Sequence, residues 1–168
     1  MIKFKKFKPN ATIPTQGSEY AAGYDLYACI DEPITIQPHE TVKIGTGIAI
    51  TPPDFNFFTA PMSFLLDDKS ERKAVLTNIK TFGAIFARSG LATKKGLRPA
   101  NAVGVCDIDY TGEYIVPLHN DTDIPQTVKP NERIAQLVFI PYISDKWEEV
   151  DELEETERGS GGFGSSGK

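Results

Sequence analysis

Thr41-Val42-Lys43-Ile44-Gly45-Thr46-Gly47-Ile48-Ala49-Ile50-Thr51-Pro52-Pro53 is the stretch that decides the fold class. Val42, Ile44, Thr46, Ile48 and Ile50 alternate with Lys43, Gly45, Gly47 and Ala49. A period of two puts the branched residues on one face of an extended strand. Pro52 and Pro53 then stop the run, because neither can donate to a strand ladder. The same texture recurs on both sides. Residues 2–7, 34–36, 75–81, 84–88, 114–118 and 134–143 are short runs of β-forming residues bounded by Gly, Pro, Asn or Asp. No stretch sustains a helical repeat, and the best short helix spans Ser89 to Lys95. Many short strands separated by turns predict an all-β jelly roll or β-sandwich rather than alternating βαβ units. No internal repeat interrupts this reading.

A chain of 168 residues suits one domain with a real core. The expected organisation is a single β domain over residues 1–157, with an inserted β-hairpin at 54–81 and a flexible Gly-rich C-terminal arm at 158–168. Eighteen Lys and Arg face 23 Asp and Glu, a net charge of −5, so stable nucleic-acid binding through backbone neutralisation is not expected. The longest apolar runs are far too short to span a membrane. Residues 1–8 alternate Lys with Ile and Phe and never form the apolar core of an export signal, which predicts a cytoplasmic protein, or one of the host-cell cytoplasm if viral. Cys29 and Cys106 form no CxxC pair and read as reduced, buried small hydrophobes.

Two segments depart from the strand texture. Residues 54–81 open with Phe55, Phe57, Phe58 and Phe64, pass through a charged stretch at 67–73, and resume alternation at Val75, Thr77 and Ile79. That pattern reads as a hairpin with a solvated tip. Its phenylalanines either pack against their own subunit or form a surface for a protein partner. At the C-terminus an acidic run, 148–157, gives way to five glycines among the last eleven residues. Such a tail cannot pack a core of its own and orders only around something it binds.

The chemistry must come from few residues. His39 and His119 are the only histidines, both read as surface turn residues, so neither a His-rich zinc site nor a Ser-His-Asp triad can be assembled. Residues 162–168 superficially spell a phosphate loop, but the last Ser/Thr and the following helix are missing. The tail instead offers Arg158, Phe163, Ser165, Ser166 and many backbone N–H groups, a composition suited to wrapping phosphates beneath an aromatic lid. In the stretch 101–114, Asp107 and Asp109 share one side of an extended strand, whereas a turn beginning near Asp109 separates them. One carboxylate there can activate water; equally, Asp and Gly there can simply shape a hairpin turn.

These residues together resemble a known family. Ala22-Gly23-Tyr24-Asp25-Leu26, Arg88-Ser89-Gly90-Leu91-Ala92, the stretch from Gly104 through Cys106-Asp107-Ile108-Asp109-Tyr110 to Gly112, Arg133-Ile134-Ala135-Gln136-Leu137, and the tail from Arg158 to Gly167 are similar to the five ordered motifs of the homotrimeric deoxyuridine triphosphatases. The resemblance covers nearly the whole chain except 54–81. It implies a β jelly roll, hydrolysis of dUTP to dUMP and pyrophosphate, Mg²⁺ on the triphosphate, and active sites shared between the subunits of a homotrimer.

Roles follow for the matching positions. Asp107 is implied as the general base for the water attacking the α-phosphorus. Asp25 is implied to help hold the metal through its water shell. Ser89, Gly90 and their neighbours are implied to contact the phosphates, with Arg88 pairing with phosphate or across a subunit contact, and Gln136 donating from the adjoining strand. Uracil is implied to lie in a hairpin over 101–112, with Asn101 and main-chain groups reading its polar edge, Gly104 leaving room, and Tyr110 packing on the deoxyribose. Phe163 is implied to stack on uracil while Arg158, Gly164, Ser165 and Ser166 grip the terminal phosphates. The chain departs from the family at Cys106, where an aliphatic residue is usual, and at 54–81. Two further readings stand beside the first: a dCTP deaminase-like enzyme of the same fold, and a regulatory or binding module acting through the inserted hairpin.

Overall fold

The computed structural model describes residues 1–53, 79–156 and 159–161. Among them the chain forms strands β1 (Lys3–Lys6), β2 (Thr15–Gln16), β3 (Tyr24–Tyr27), β4 (Ile34–Ile36), β5 (Thr41–Gly45), β6 (Ile48–Thr51) and β7 (Ile79–Phe86), then the helix α1 (Ser89–Lys95). Strands β8 (Leu97–Pro99), β9 (Gly104–Cys106), β10 (Ile115–Asn120), β11 (Gln126–Val128) and β12 (Arg133–Ile143) follow. The larger sheets run β2-β3-β12-β7-β9 and β5-β10-β8, with smaller pairs β1-β6 and β11-β4. Every strand pair is antiparallel, which is the all-β jelly roll predicted above.

The core lies between the sheets. Leu26 from β3 and Ile134 and Leu137 from β12 meet Ile44 from β5, Leu97 from β8, and Val116 and Leu118 from β10, all essentially without solvent contact. Tyr114, also buried, satisfies its hydroxyl by donating to the carbonyl of Ile50 at 3.1 Å. Burial pushes its phenol well above the ordinary range. Both cysteines are free and buried, as expected.

The deciding stretch is two strands rather than one. The chain breaks at Thr46-Gly47, where Gly47 takes φ +72°, and a Cβ there would lie 2.7 Å from Ala11 Cβ and from Cys29 Sγ. The break is stitched by polar groups. Thr46 donates its backbone N–H and its hydroxyl to the carbonyl of Tyr114, and the Gly47 N–H donates to Glu113 Oε1 at 2.7 Å. Ala49, expected on the outer face, is consequently buried with Ile48 and Ile50.

Helix α1 has the predicted bounds. It ends at Gly96, left-handed at φ 62°, whose N–H closes on the carbonyl of Ala92, and Lys94 and Lys95 occupy its last turn. Three other expectations change. The runs at 75–81 and 84–88 contribute residues 79–81 and 84–86 to one strand, β7, which ends at Phe86. The stretch 101–112 is not a hairpin of two mutually paired strands, because β9 pairs with β7 while the next strand, β10, pairs with β5 and β8. His119 is a strand residue of β10 rather than a turn residue, its Nδ1 within 2.9 Å of the Thr41 hydroxyl. His39 does sit in a turn, at φ 58°. The hairpin expected at 54–81 lies outside the described residues apart from 79–81, and so do all residues of the C-terminal arm except 159–161.

Candidate functional site

Strand β12 is the spine of the site. Gln136 stands opposite Asp25 of β3 on one side and opposite Phe86 of β7 on the other. Directly opposed residues share a face of the sheet. Arg88 lies two residues beyond Phe86, where β7 hands over to α1, so the chain returns it to the same end of the sheet. Arg88 serves as N-cap of α1 in extended conformation (φ −84°, ψ 126°), with no side chain capping the first turn. The backbone N–H groups of Ser89 and Gly90 therefore meet no capping side chain.

Asp25, Arg88 and Arg133 form an ion cluster at this place. Arg88 Nε donates to Asp25 Oδ1 at 2.6 Å, and an Arg133 terminal nitrogen donates to Asp25 Oδ2 at 3.0 Å. The Asp25 side chain is 13% exposed, against 25% for Arg88 and 50% for Arg133. Gln136 Nε2 donates to the carbonyl of Ala87 at 2.9 Å, which leaves its second amide hydrogen uncommitted among the described residues. Gly23 makes room for this amide, since a Cβ there would lie 3.0 Å from Gln136 Oε1. Gly23, Asp25, Arg88, Ser89, Gly90, Arg133 and Gln136 line one cleft of about 470 Å³. Two guanidiniums against one carboxylate leave it net positive, with amide and backbone donors around it, a composition suited to a chain of phosphate oxygens.

Arg133 carries no role in the sequence reading, and the reason is geometric. Residues three apart on a regular strand point to opposite faces, so Arg133 and Gln136 are not expected together. The β12–β3 register shifts between Arg133 and Ala135, and this irregularity turns both side chains to the cleft.

The other predicted residues lie elsewhere on the subunit. Gly104 faces Ile85 across the β9–β7 pair, and its missing side chain permits that approach: a Cβ would be 3.1 Å from Ile85 Cβ. Asn101 is exposed just before β9. Asp107 is exposed and opens a turn closed by the Tyr110 N–H on the Asp107 carbonyl at 3.1 Å. The Tyr110 hydroxyl donates to the carbonyl of Glu113 at 3.0 Å, and its ring lies over Gly112. Tyr110 lines a separate cleft with Lys3, Phe4, Lys5 and Thr111. Cys106, which precedes Asp107, faces Gly83, five residues before Arg88 on β7. At about 3.3 Å per extended residue, roughly 16 Å separates the two ends. One subunit thus does not bring Asp107 to the Arg88 cleft. Arg158, Phe163, Gly164, Ser165 and Ser166 lie outside the described residues.

Other chemistries find little support. Burial pushes the Cys106 thiol up to about 11, which keeps it a neutral packing group. Among the described residues no three His, Cys, Asp or Glu side chains cluster as metal ligands, and no helix is long and apolar enough to cross a membrane. Each oxygen of Asp25 accepts from an arginine and keeps a further lone pair, so the carboxylate can still accept from a metal-bound water.

An all-β jelly roll whose cleft carries this set of cationic and amide donors is of a different class from proteins that take phosphates at a nucleotide-binding βα turn. The sequence model of the dUTPase family matches residues 9–63 and 69–167, so the match also runs through most of 54–81. The chain is 41% identical over 155 residues to the deoxyuridine 5'-triphosphate nucleotidohydrolase of Desulfitobacterium hafniense, covering 92% of this chain and 87% of that relative. It is 38% identical over 156 residues to the protein of the same name from Acinetobacter baumannii, covering 93% and 88%. The fold is similar to that of the dUTPase of Staphylococcus bacteriophage 80alpha with dUpNHpp, at TM-score 0.76 and 24% identity over 100% of this chain and 99% of that one. A mutant dUTPase from phage phi11 of S. aureus, whose structure concerns a structural Mg(II) ion, matches at TM-score 0.69 and 19% identity over 92% and 99%. This chain belongs to the dUTPase family.

Proposed function

We propose that this protein hydrolyses dUTP to dUMP and pyrophosphate, with the triphosphate carried as its Mg²⁺ complex, in a homotrimer whose active sites are shared between subunits. The observation that carries the reading is the division of the predicted site. Asp25, Arg88, Ser89, Gly90 and Gln136 share one cleft, while Asp107 follows Cys106, which faces Gly83 in the middle of β7, and Tyr110 lines a separate cleft. A complete site then needs the Asp107 end of one copy beside the Arg88 cleft of another. Family membership and relatives named as dUTP nucleotidohydrolases support the substrate.

In this reading the cleft receives the phosphate chain. Arg88 supplies charge and directional donors, Gln136 its second amide hydrogen, and the backbone at Ser89 and Gly90 approaches closely because position 90 has no side chain. Asp25 would hold Mg²⁺ through the ion's water shell, and the ion would supply charge neutralisation for the triphosphate. Asp107 accepts the proton of a water whose oxygen bonds to the α-phosphorus; the bond from that phosphorus to the bridging oxygen breaks, and pyrophosphate leaves. Uracil lies along the segment 101–112, with Asn101 reading its edge and Tyr110 against the deoxyribose. Because β9 is paired to β7, this segment is a strand edge with a turn, and it offers main-chain groups to the base as a hairpin would. The tail closes the site, Phe163 over uracil and Arg158, Gly164, Ser165 and Ser166 on the phosphates.

Such an enzyme keeps uracil out of DNA and supplies dUMP for thymidylate synthesis, and we place it in the cytoplasm. The relatives give the dCTP deaminase reading no support. A binding role for 54–81 concerns residues that lie, apart from 79–81, outside those described. Pyrophosphate release from dUTP, dTTP, dCTP and UTP tests the proposal. Release from dUTP alone is expected. Ammonia from dCTP, or a folded oligomer that turns over none of the four, sinks it.

A further inference from the structure

We propose that Arg133 is a positioning residue for dUTP hydrolysis: by occupying one oxygen of Asp25 it keeps the terminal donors of Arg88 open to the cleft. The inference rests on reading this cleft as the dUTP phosphate site. Left to themselves, an arginine and a carboxylate favour the forked pair, in which two N–H groups meet both oxygens. Arg98 and Asp121 adopt that fork in this same chain, Nε to Oδ2 at 2.7 Å and a terminal nitrogen to Oδ1 at 2.9 Å.

Arg88 and Asp25 do not. Only Nε of Arg88 bonds, at 2.6 Å to Oδ1, while Oδ2 is taken by Arg133 at 3.0 Å. The fork would gain more here than at Asp121, because Asp25 is 13% exposed and Asp121 42%. Less water competes for the ion pair. What holds the fork open is the setting of the carboxylate: the bond from Arg133, reaching Oδ2 from the irregular start of β12, keeps its plane turned from the one in which both oxygens meet Arg88. The two terminal nitrogens of Arg88 consequently have no partner among the described residues, and Arg88 lines the cleft that carries the phosphates in the reading above. Without Arg133 the Asp25 carboxylate rotates onto Arg88 and closes the fork. The donors meant for phosphate are then spent inside the protein.

Two predictions separate this from direct phosphate binding by Arg133 and from a merely structural role. A lysine at 133 still occupies one oxygen of Asp25, whereas a methionine of similar length does not. Arg133 also acts only through Arg88, so its loss changes little once Arg88 is gone. Calorimetric binding of the non-hydrolysed α,β-imido analogue of dUTP with Mg²⁺, on the oligomer, reads both. We expect Arg133→Met to weaken binding about tenfold, with KM for dUTP rising in step and kcat within about threefold of the parent. Arg133→Lys stays within about threefold, and Arg133→Met added to Arg88→Gln costs less than a further twofold or so.

A full tenfold loss on the Arg88→Gln background, or parent-like binding by Arg133→Met, overturns the proposal while leaving dUTP hydrolysis intact. Equal losses in the Met and Lys variants with a lowered unfolding midpoint assign Arg133 to structure and also overturn it. A parent protein that binds no analogue and releases no pyrophosphate from dUTP overturns the functional reading, and this inference with it.

Discussion

Gly90→Ala is expected to make the protein more stable and a worse enzyme. Gly90 is the second residue of α1, a Cβ added there would meet nothing within 4 Å, and its φ lies outside the left-handed range. Within the subunit an alanine fits. Alanine in a helix is favoured over glycine by about 0.5–1 kcal/mol, partly through a less disordered unfolded chain. For a chain of this length that raises the unfolding midpoint by about 1–4 °C. The subunit thus gives glycine no structural advantage, and the proposed reason for its presence is a ligand that passes over the backbone of the first turn. A methyl group in that path displaces a phosphate from the N–H groups of Ser89 and Gly90. Losing one such charge-assisted contact costs about 1.5–3 kcal/mol, or roughly ten- to a hundredfold in kcat/KM for dUTP. The assay is steady-state pyrophosphate release beside thermal unfolding at fixed protein concentration. Full activity from a stabilised variant refutes the close approach, and a destabilised variant shows that position 90 packs against a neighbour outside the subunit.

Asp107→Asn is expected to lower kcat about 10²–10⁴-fold while binding of the α,β-imido analogue stays within about threefold; calorimetry and turnover measured together check the base assignment. Removing residues 158–168 is expected to abolish turnover and leave the oligomer intact, as read by pyrophosphate release and sedimentation. Gly47→Ala combines a left-handed backbone with contacts at 2.7 Å to Ala11 and Cys29, so denaturant unfolding should show a loss of roughly 2–4 kcal/mol. Glu132 is partly desolvated, which raises its pKa, but the Lys95 ammonium at 2.6 Å and the Lys129 N–H outweigh this and hold it below the ordinary value of 4.5. Its stabilisation is therefore present above that value and is lost as pH falls through the lower folded pKa. Lys95→Met should flatten stability against pH in that acid range and cost on the order of 1 kcal/mol near neutrality.

The all-β class was legible because a two-residue period and frequent turn residues speak locally, and α1 was legible because its ends carry their own signals. The break at Gly47 was not. It depends on Glu113 and Tyr114, more than sixty residues away, which capture the N–H groups of Gly47 and Thr46. Pairing was equally hidden at 101–112. Turn residues there announce a reversal of direction, but which strand receives Gly104–Cys106 is settled by Gly104 fitting against Ile85. Of the candidate site, Asp25, Arg88 and Gln136 were legible as motif residues, and the register of β12 against β3 and β7 explains their convergence. Arg133 was not, because a local irregularity inverted the face on which it emerges.

The separation of Asp107 from Arg88 along β7 has a genetic consequence. If the active site is shared between subunits as proposed, a chain crippled at Asp107 and a chain crippled at Arg88 are each inert alone, yet each retains the half-site the other lacks. Co-expressed in equal amounts and assembled at random, they restore about a quarter of the sites in a closed ring of shared interfaces. Two inactive alleles of this gene would then complement one another, and either allele beside an intact one would spoil only its own share of the sites, because each altered chain still lends its sound half-site to a neighbour.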